Sequence, residues 1–139
     1  MNSLYLDTNI FLYLSDKSSP YYLSCFKFIK FCKKEKILLL TSTETIQEII
    51  HYSKNVKQVK EGLEAAKQTL QLLSGLLPID QSIIEIYLKY VSIYKNASSR
   101  DLIHLAVCLE NKINKIVTFD KDFKKFKEIT LLQPQDIGN

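Results

Sequence analysis

The chain has 139 residues, 46% hydrophobic and 24% charged, with only three Gly and three Pro, which suits one compact domain over residues 1–139 and excludes a disordered or low-complexity protein. Cys25, Cys32 and Cys108, an odd number without a CxxC, exclude a disulfide framework and a zinc knuckle, and no apolar run has the length of a membrane span or the make-up of a signal peptide. The net charge of +4, from eighteen Lys and the single Arg100, leans toward a polyanionic partner but equally fits a solvated lysine surface; the expected location is the cytoplasm.

Residues 3–7 form an apolar run that reads as a buried strand ending near Asp7, followed by a turn-prone Asp-Thr-Asn. Residues 20–35 open with Pro20 and close in a basic turn, the polarity a helix dipole prefers, and place Cys25 and Cys32 two turns apart on one face. "KILLL" at 36–40 is a second buried strand, and "TSTETIQEIIHYS" after it turns into a helix with Thr and Ser capping candidates. Between residues 56 and 77, Val56, Val59, Leu63, Ala66, Leu70, Leu73 and Leu77 alternate steps of three and four, a heptad-like seam. A brief extended piece near Pro78 precedes an amphipathic helix over 81–94, "ASSRDLIHLAVCLENKI" gives another helix, and "KIVTF" (115–119) and "ITLLQ" give two more strands. Alternating apolar strands and helices predict an α/β fold, a three-layer α/β/α sandwich around a mainly parallel sheet of about four to five strands.

Asp7 stands among Leu4, Tyr5, Leu6, Ile10, Phe11 and Leu12, where a charge is costly unless something pairs with it. In open parallel sheets, ligands bind beyond the carboxyl ends of the strands, and Asp7, Glu48, Asp101 and Asp120 can all reach that edge. Four such carboxylates repel, so they either take up protons or hold a cation. An all-oxygen donor set suits Mg2+ or Mn2+, which serve phosphodiester hydrolysis.

Each acid also has a plainer reading. Asp7 fits an Asx-turn, Asp120 a turn, and Glu48 and Asp101 each follow a hydroxyl residue (Thr45, Ser98) by three, the spacing of a capping box. His104 amid "LIHLAV" reads as a core histidine or as a support for a ligand rather than as a catalyst. No hydrolytic triad or phosphate-cradling glycine loop is readable.

The ordered segments "LYLDTNIFLYL", "TSTETIQEII", "SSRDLIHLAV" and "KIVTFDKDF" resemble the PIN-domain family, especially the VapC-like toxins of toxin–antitoxin pairs, over essentially the whole chain. The resemblance implies an α/β/α sandwich, a Mg2+ or Mn2+ site and RNA as substrate. By position it implies Asp7, Glu48, Asp101 and Asp120 as the catalytic, metal-binding tetrad, with Thr8, Asn9 and Thr118 as orienting residues and Asp122 farther out. Glu44 competes with Glu48 for the second place, and Arg100 either contacts phosphate or pairs with a carboxylate. The seam at 56–77 matches a helical hairpin that in the family builds a homodimer and an antitoxin groove; an intramolecular hairpin with the 81–94 helix serves as well. A stand-alone RNA-processing nuclease and a non-catalytic RNA- or protein-binding module are the competing functions, and a phosphoaspartyl enzyme is disfavoured because Asn9 stands where a second aspartate is needed.

Overall fold

The computed structural model describes residues 2–137, which run β1 (Ser3–Leu6), α1 (Thr8–Leu14), α2 (Tyr22–Lys34), β2 (Leu38–Ser42), α3 (Thr43–Asn55), α4 (Val59–Leu72), β3 (Gly75–Leu77), α5 (Gln81–Ile93), α6 (Ser99–Glu110), β4 (Lys115–Val117) and β5 (Thr130–Leu132), with short 3-10 turns at Lys121–Lys125 and Pro134–Asp136. The five strands form one parallel sheet in the order β3-β2-β1-β4-β5. Because side chains alternate along a strand, β1 feeds both cores. Leu4 and Leu6 pack with Ile10, Phe11, Phe28 and Ile49 on one face, while Tyr5 packs with Leu105, Ile116 and Phe123 on the other. The resulting α/β/α layering agrees with the expected fold. No helix among the described residues is long and apolar enough to cross a membrane.

Several local expectations need correction. The Asp-Thr-Asn segment does not remain a turn: Asp7 N-caps α1, its side chain accepting from Thr8 N–H, and Ile10 and Phe11 of that helix enter the core. The second strand lies at 38–42 rather than 36–40, because Lys36 takes a left-handed conformation (φ 58°) that ends α2. Lys36 N–H bonds to Lys33 O and Ile37 N–H to Cys32 O, the paired bonds of a Schellman cap.

The heptad seam is cut at both ends, Val56 capping α3 and Leu77 lying in β3. Its large residues are not what α4 buries. Val59, Leu63 and Leu70 are 40%, 50% and 51% exposed, whereas Gly62, Ala65, Ala66 and Thr69 are buried. The helix packs chiefly against α3, with α5 paired to α6, so the hairpin with the 81–94 helix does not form. Small residues let α3 and α4 approach closely: a Cβ on Gly62 would lie 1.9 Å from Ser53 Oγ and 2.4 Å from Ser53 Cβ. Gly62→Ala is therefore expected to destabilise by about 1–3 kcal/mol despite its better helix propensity, and Ser53→Gly in the same chain should recover most of the loss. Urea denaturation checks this.

Candidate active site

The strand order reverses at β1, whose neighbours β2 and β4 lead to opposite edges, and the crevice outside such a switch point is where this architecture binds ligands. Asp7 leaves β1 there, its N–H tied to Val117 O at 3.0 Å. The residue is 7% exposed, yet both carboxylate oxygens have donors. Thr8 N–H reaches Oδ1 at 2.7 Å, and the Thr118 hydroxyl, just beyond β4, reaches Oδ2 at 2.6 Å. Asn9 Nδ2 donates to Thr118 Oγ1 at 3.0 Å and lies 3.4 Å from Asp7 Oδ2. Burial pushes the Asp7 carboxyl above the ordinary aspartate range, against the opposing pull of His104, Thr118 and Thr8.

Glu48 comes from α3. Thr45, Ile49 and Ser53 form the buried stripe of that helix, and Glu48, one residue before Ile49, is carried to the sheet edge. The capping-box reading fails because the helix starts at Thr43 and Thr45 lies inside it, its hydroxyl 2.6 Å from that of Thr41. Glu48 Oε1 accepts from Thr8 Oγ1 at 2.6 Å and lies 2.7 Å from His104 Nε2. That bond joins the two helical layers over the end of β1. His104 is 1% exposed, and its other nitrogen, Nδ1, meets Tyr5 Oη at 2.5 Å, while Tyr5 Oη also bonds Ser42 Oγ at 2.8 Å. Burial works against charge on both partners. Their mutual bond nevertheless prevails, leaving Glu48 below its ordinary range and His104 above its own, with the Asp7 charge also favouring the imidazolium.

Asp101 lies in the first turn of α6, where its N–H bonds to the Ser98 cap at 3.1 Å, half of the capping box the spacing suggests. Its carboxyl is pushed up to about 6, first by burial and then by the charges of Asp120 and Asp7, which ties the three acids to one electrostatic neighbourhood. Asp120 follows β4, its N–H on Thr118 Oγ1 and its Oδ1 accepting from Asp122 N–H at 2.9 Å. Asp122 itself is exposed. Glu44 is raised by burial and by Glu48, so it faces the same edge, but the bonds to Thr8 and His104 belong to Glu48. Arg100, with a side chain 47% exposed, lies 3.8 Å from Glu48 Oε2.

Ligand atoms of Asp7, Glu48 and His104 all lie within 4.8 Å of one another. Of these the two carboxylates have the chemistry a hard divalent cation prefers, and the like-charge strain on Asp101 is what such a cation relieves. The donors present therefore fit Mg2+ or Mn2+. The structure brings Asp7 and Glu48 together, and His104, one helical turn from Asp101, is buried against Glu48, in keeping with its reading as a core histidine or a support for a ligand. Tyr5 reads only as a strand hydrophobe, and nothing in the sequence marks its hydroxyl.

Residues 4–129 match the PIN domain family. The chain is 27% identical to Ribonuclease VapC13 of Mycobacterium tuberculosis over 127 residues, covering 91% of this chain and 97% of that protein. Its fold superposes on VapBC2 of Rickettsia felis, solved bound to a DNA fragment from its promoter, with a TM-score of 0.74 at 15% identity, covering 94% of this chain and 98% of the other. It also superposes on VapC20 of Mycobacterium tuberculosis, a sarcin-ricin loop cleaving toxin, with a TM-score of 0.74 at 14% identity over 91% and 96% of the two chains.

Proposed function

The chain belongs to the PIN-domain family, and on that premise we propose that it is a divalent-metal-dependent endoribonuclease, the toxin of a type II toxin–antitoxin pair, with residues 1–139 as one nuclease domain. The observation that carries the reading is the convergence of Asp7 and Glu48 within a group 4.8 Å across, in a site whose third carboxyl, Asp101, is pushed up to about 6 by burial and then by the charges of Asp120 and Asp7. The ribonuclease name of the relative spanning 91% of this chain supports RNA as substrate, and the toxin–antitoxin complexes among its structural neighbours support an antitoxin partner.

Asp7, Glu48, Asp101 and Asp120 would hold Mg2+ or Mn2+. When bound, such an ion polarises a phosphodiester and acidifies the attacking water. The chain's own groups orient and bind. Thr8 N–H and Thr118 Oγ–H fix the two oxygens of Asp7, and the Thr8 hydroxyl and His104 fix Oε1 of Glu48. Arg100, on the solvent side of Glu48, is placed to meet a substrate phosphate. The apolar groove lined by Phe11, Leu14, Phe26, Ile29 and Leu72 suits the apolar face of an antitoxin helix, and the exposed Leu63 and Leu70 of α4 suit a homodimer contact.

Purified protein is expected to cleave single-stranded or hairpin RNA with Mg2+ or Mn2+ and to stop on adding excess EDTA. Cleavage persisting in EDTA overturns metal dependence. Folded, Mn2+-loaded protein that cuts no member of a broad RNA panel overturns the enzyme reading in favour of a binding module.

A further inference from the structure

We infer that His104 is a positioning residue for the metal-binding carboxylates: anchored through Nδ1 by Tyr5, it clamps Glu48 through Nε2 and so sets the affinity of the site for a divalent cation. The inference rests on the nuclease reading above and deepens it. Four side chains make the clamp. Ser42 holds the Tyr5 hydroxyl at 2.8 Å, Tyr5 holds Nδ1 at 2.5 Å, and Nε2 holds Glu48 Oε1 at 2.7 Å. The chain of bonds leaves α3 at its N-cap, Ser42, crosses β1 at Tyr5 and α6 at His104, and returns to α3 at Glu48. It is a closed loop, so the helix that carries Glu48 cannot rotate about its axis without breaking a bond in the loop.

The same geometry separates positioning from direct ligation. A ligating imidazole needs a nitrogen lone pair facing the ion. Here the ring is 1% exposed and both nitrogens already have partners. An ionised carboxylate only accepts, so Nε2 must donate to Glu48 and has no lone pair to offer. With Thr8 Oγ1 also on Oε1 at 2.6 Å, one oxygen of Glu48 is pinned twice. Oε2, whose charged neighbour is the half-exposed Arg100 at 3.8 Å, is left to turn to a cation. Nε2 also lies 3.7 Å from Asp7 Oδ1, so a single N–H stands between the two carboxylates and lowers their repulsion while the ion is absent. Groups that orient metal ligands in this way commonly matter to affinity by roughly 10–100-fold.

Two amide variants split the imidazole into its halves. The amide nitrogen of His104→Gln falls near Nε2 and keeps a donor for Glu48, whereas that of His104→Asn falls near Nδ1 and keeps only the Tyr5 contact. Calorimetric titration of each folded variant with Mn2+, without RNA, is expected to show His104→Asn weaker by roughly 10–100-fold, His104→Gln recovering most of the wild-type affinity, and Tyr5→Phe falling between them. In cleavage assays, raising Mn2+ should restore the turnover lost by His104→Asn, which a change in the chemical step would not allow. A folded His104→Asn with wild-type Mn2+ affinity overturns the inference alone, as does equal loss in the Gln and Asn variants. A wild-type protein that binds no Mn2+ overturns the nuclease reading and this inference with it.

Discussion

Asp7→Asn is expected to lower RNA cleavage by more than about 100-fold, beyond the range seen when only the outer partners of metal ligands are removed, while the protein stays folded. Asp7 is the acid with most contacts in the site: Thr8, Thr118 and Asn9 bond it, and His104 lies 3.7 Å away. Asparagine keeps the Oδ1 acceptor for the N-cap but loses the charge a cation needs. The stability side has a definite sign. Burial raises the Asp7 carboxyl above its ordinary value, so its contribution to folding is present below the ordinary carboxylate range and is lost as pH rises through the folded-state value. Above that value the ionised side chain is a burden on the metal-free fold, and wherever it is ionised its removal should leave the melting temperature unchanged or higher. A fluorogenic RNA assay and a metal-free melt test both halves. A variant that cuts nearly as fast as wild type, or that fails to fold, contradicts this account of Asp7.

Asp7 was legible because a charge inside an apolar run demands an explanation that a polar run does not. The layered fold was legible because buried parallel strands are short and continuously apolar while helices show a longer period. What escaped has physical reasons. α1 is only seven residues long and opens on Thr-Asn, residues that local rules assign to turns; tertiary burial of Ile10 and Phe11 makes it a helix. Three helices are followed by Lys36, Lys57 and Lys112 in the left-handed region, where glycine is the usual signal, so helix ends could not be read from composition. The leucine seam of α4 misled because periodicity reports which residues share a face and not what that face meets. In the fold, the close approach to α3 requires Gly62, and the large residues Leu63 and Leu70 are left outside. Within the site, Asp7 and Glu48, which the structure brings together, were marked in the sequence by type and order, but the loop from Ser42 through Tyr5 to His104 joins positions 37 and 99 residues apart, and no local pattern encodes such a pairing.

Between pH 5 and pH 7.5, the metal-free protein is expected to lose stability through Asp101, and Mn2+ is expected to restore it. Burial and the charges of Asp120 and Asp7 push this carboxyl from 3.8 up to about 6. Its stabilising contribution is therefore complete below the unfolded value and disappears as pH rises through the folded one. A shift of about two units caps the whole effect near 3 kcal/mol, of which about half, near 1.4 kcal/mol, is lost above pH 5, and partial exposure reduces this to roughly 0.5–1 kcal/mol, or roughly 2–4 °C in melting temperature for a chain of this size. His104, raised above its ordinary value, acts in the same direction at higher pH. Glu48, held below its ordinary range, acts in the opposite sense and only at lower pH. Subtracting the Asp101→Asn melting profile from that of wild type isolates the Asp101 contribution. A cation stabilises the ionised form by mass action, so the rise in melting temperature with Mn2+ should be larger at pH 7.5 than at pH 5, where protons compete for the same oxygens. Wild-type and Asp101→Asn curves that run parallel across the range, with an Mn2+ increment that ignores pH, would show that the acids at this sheet edge do not share a cation.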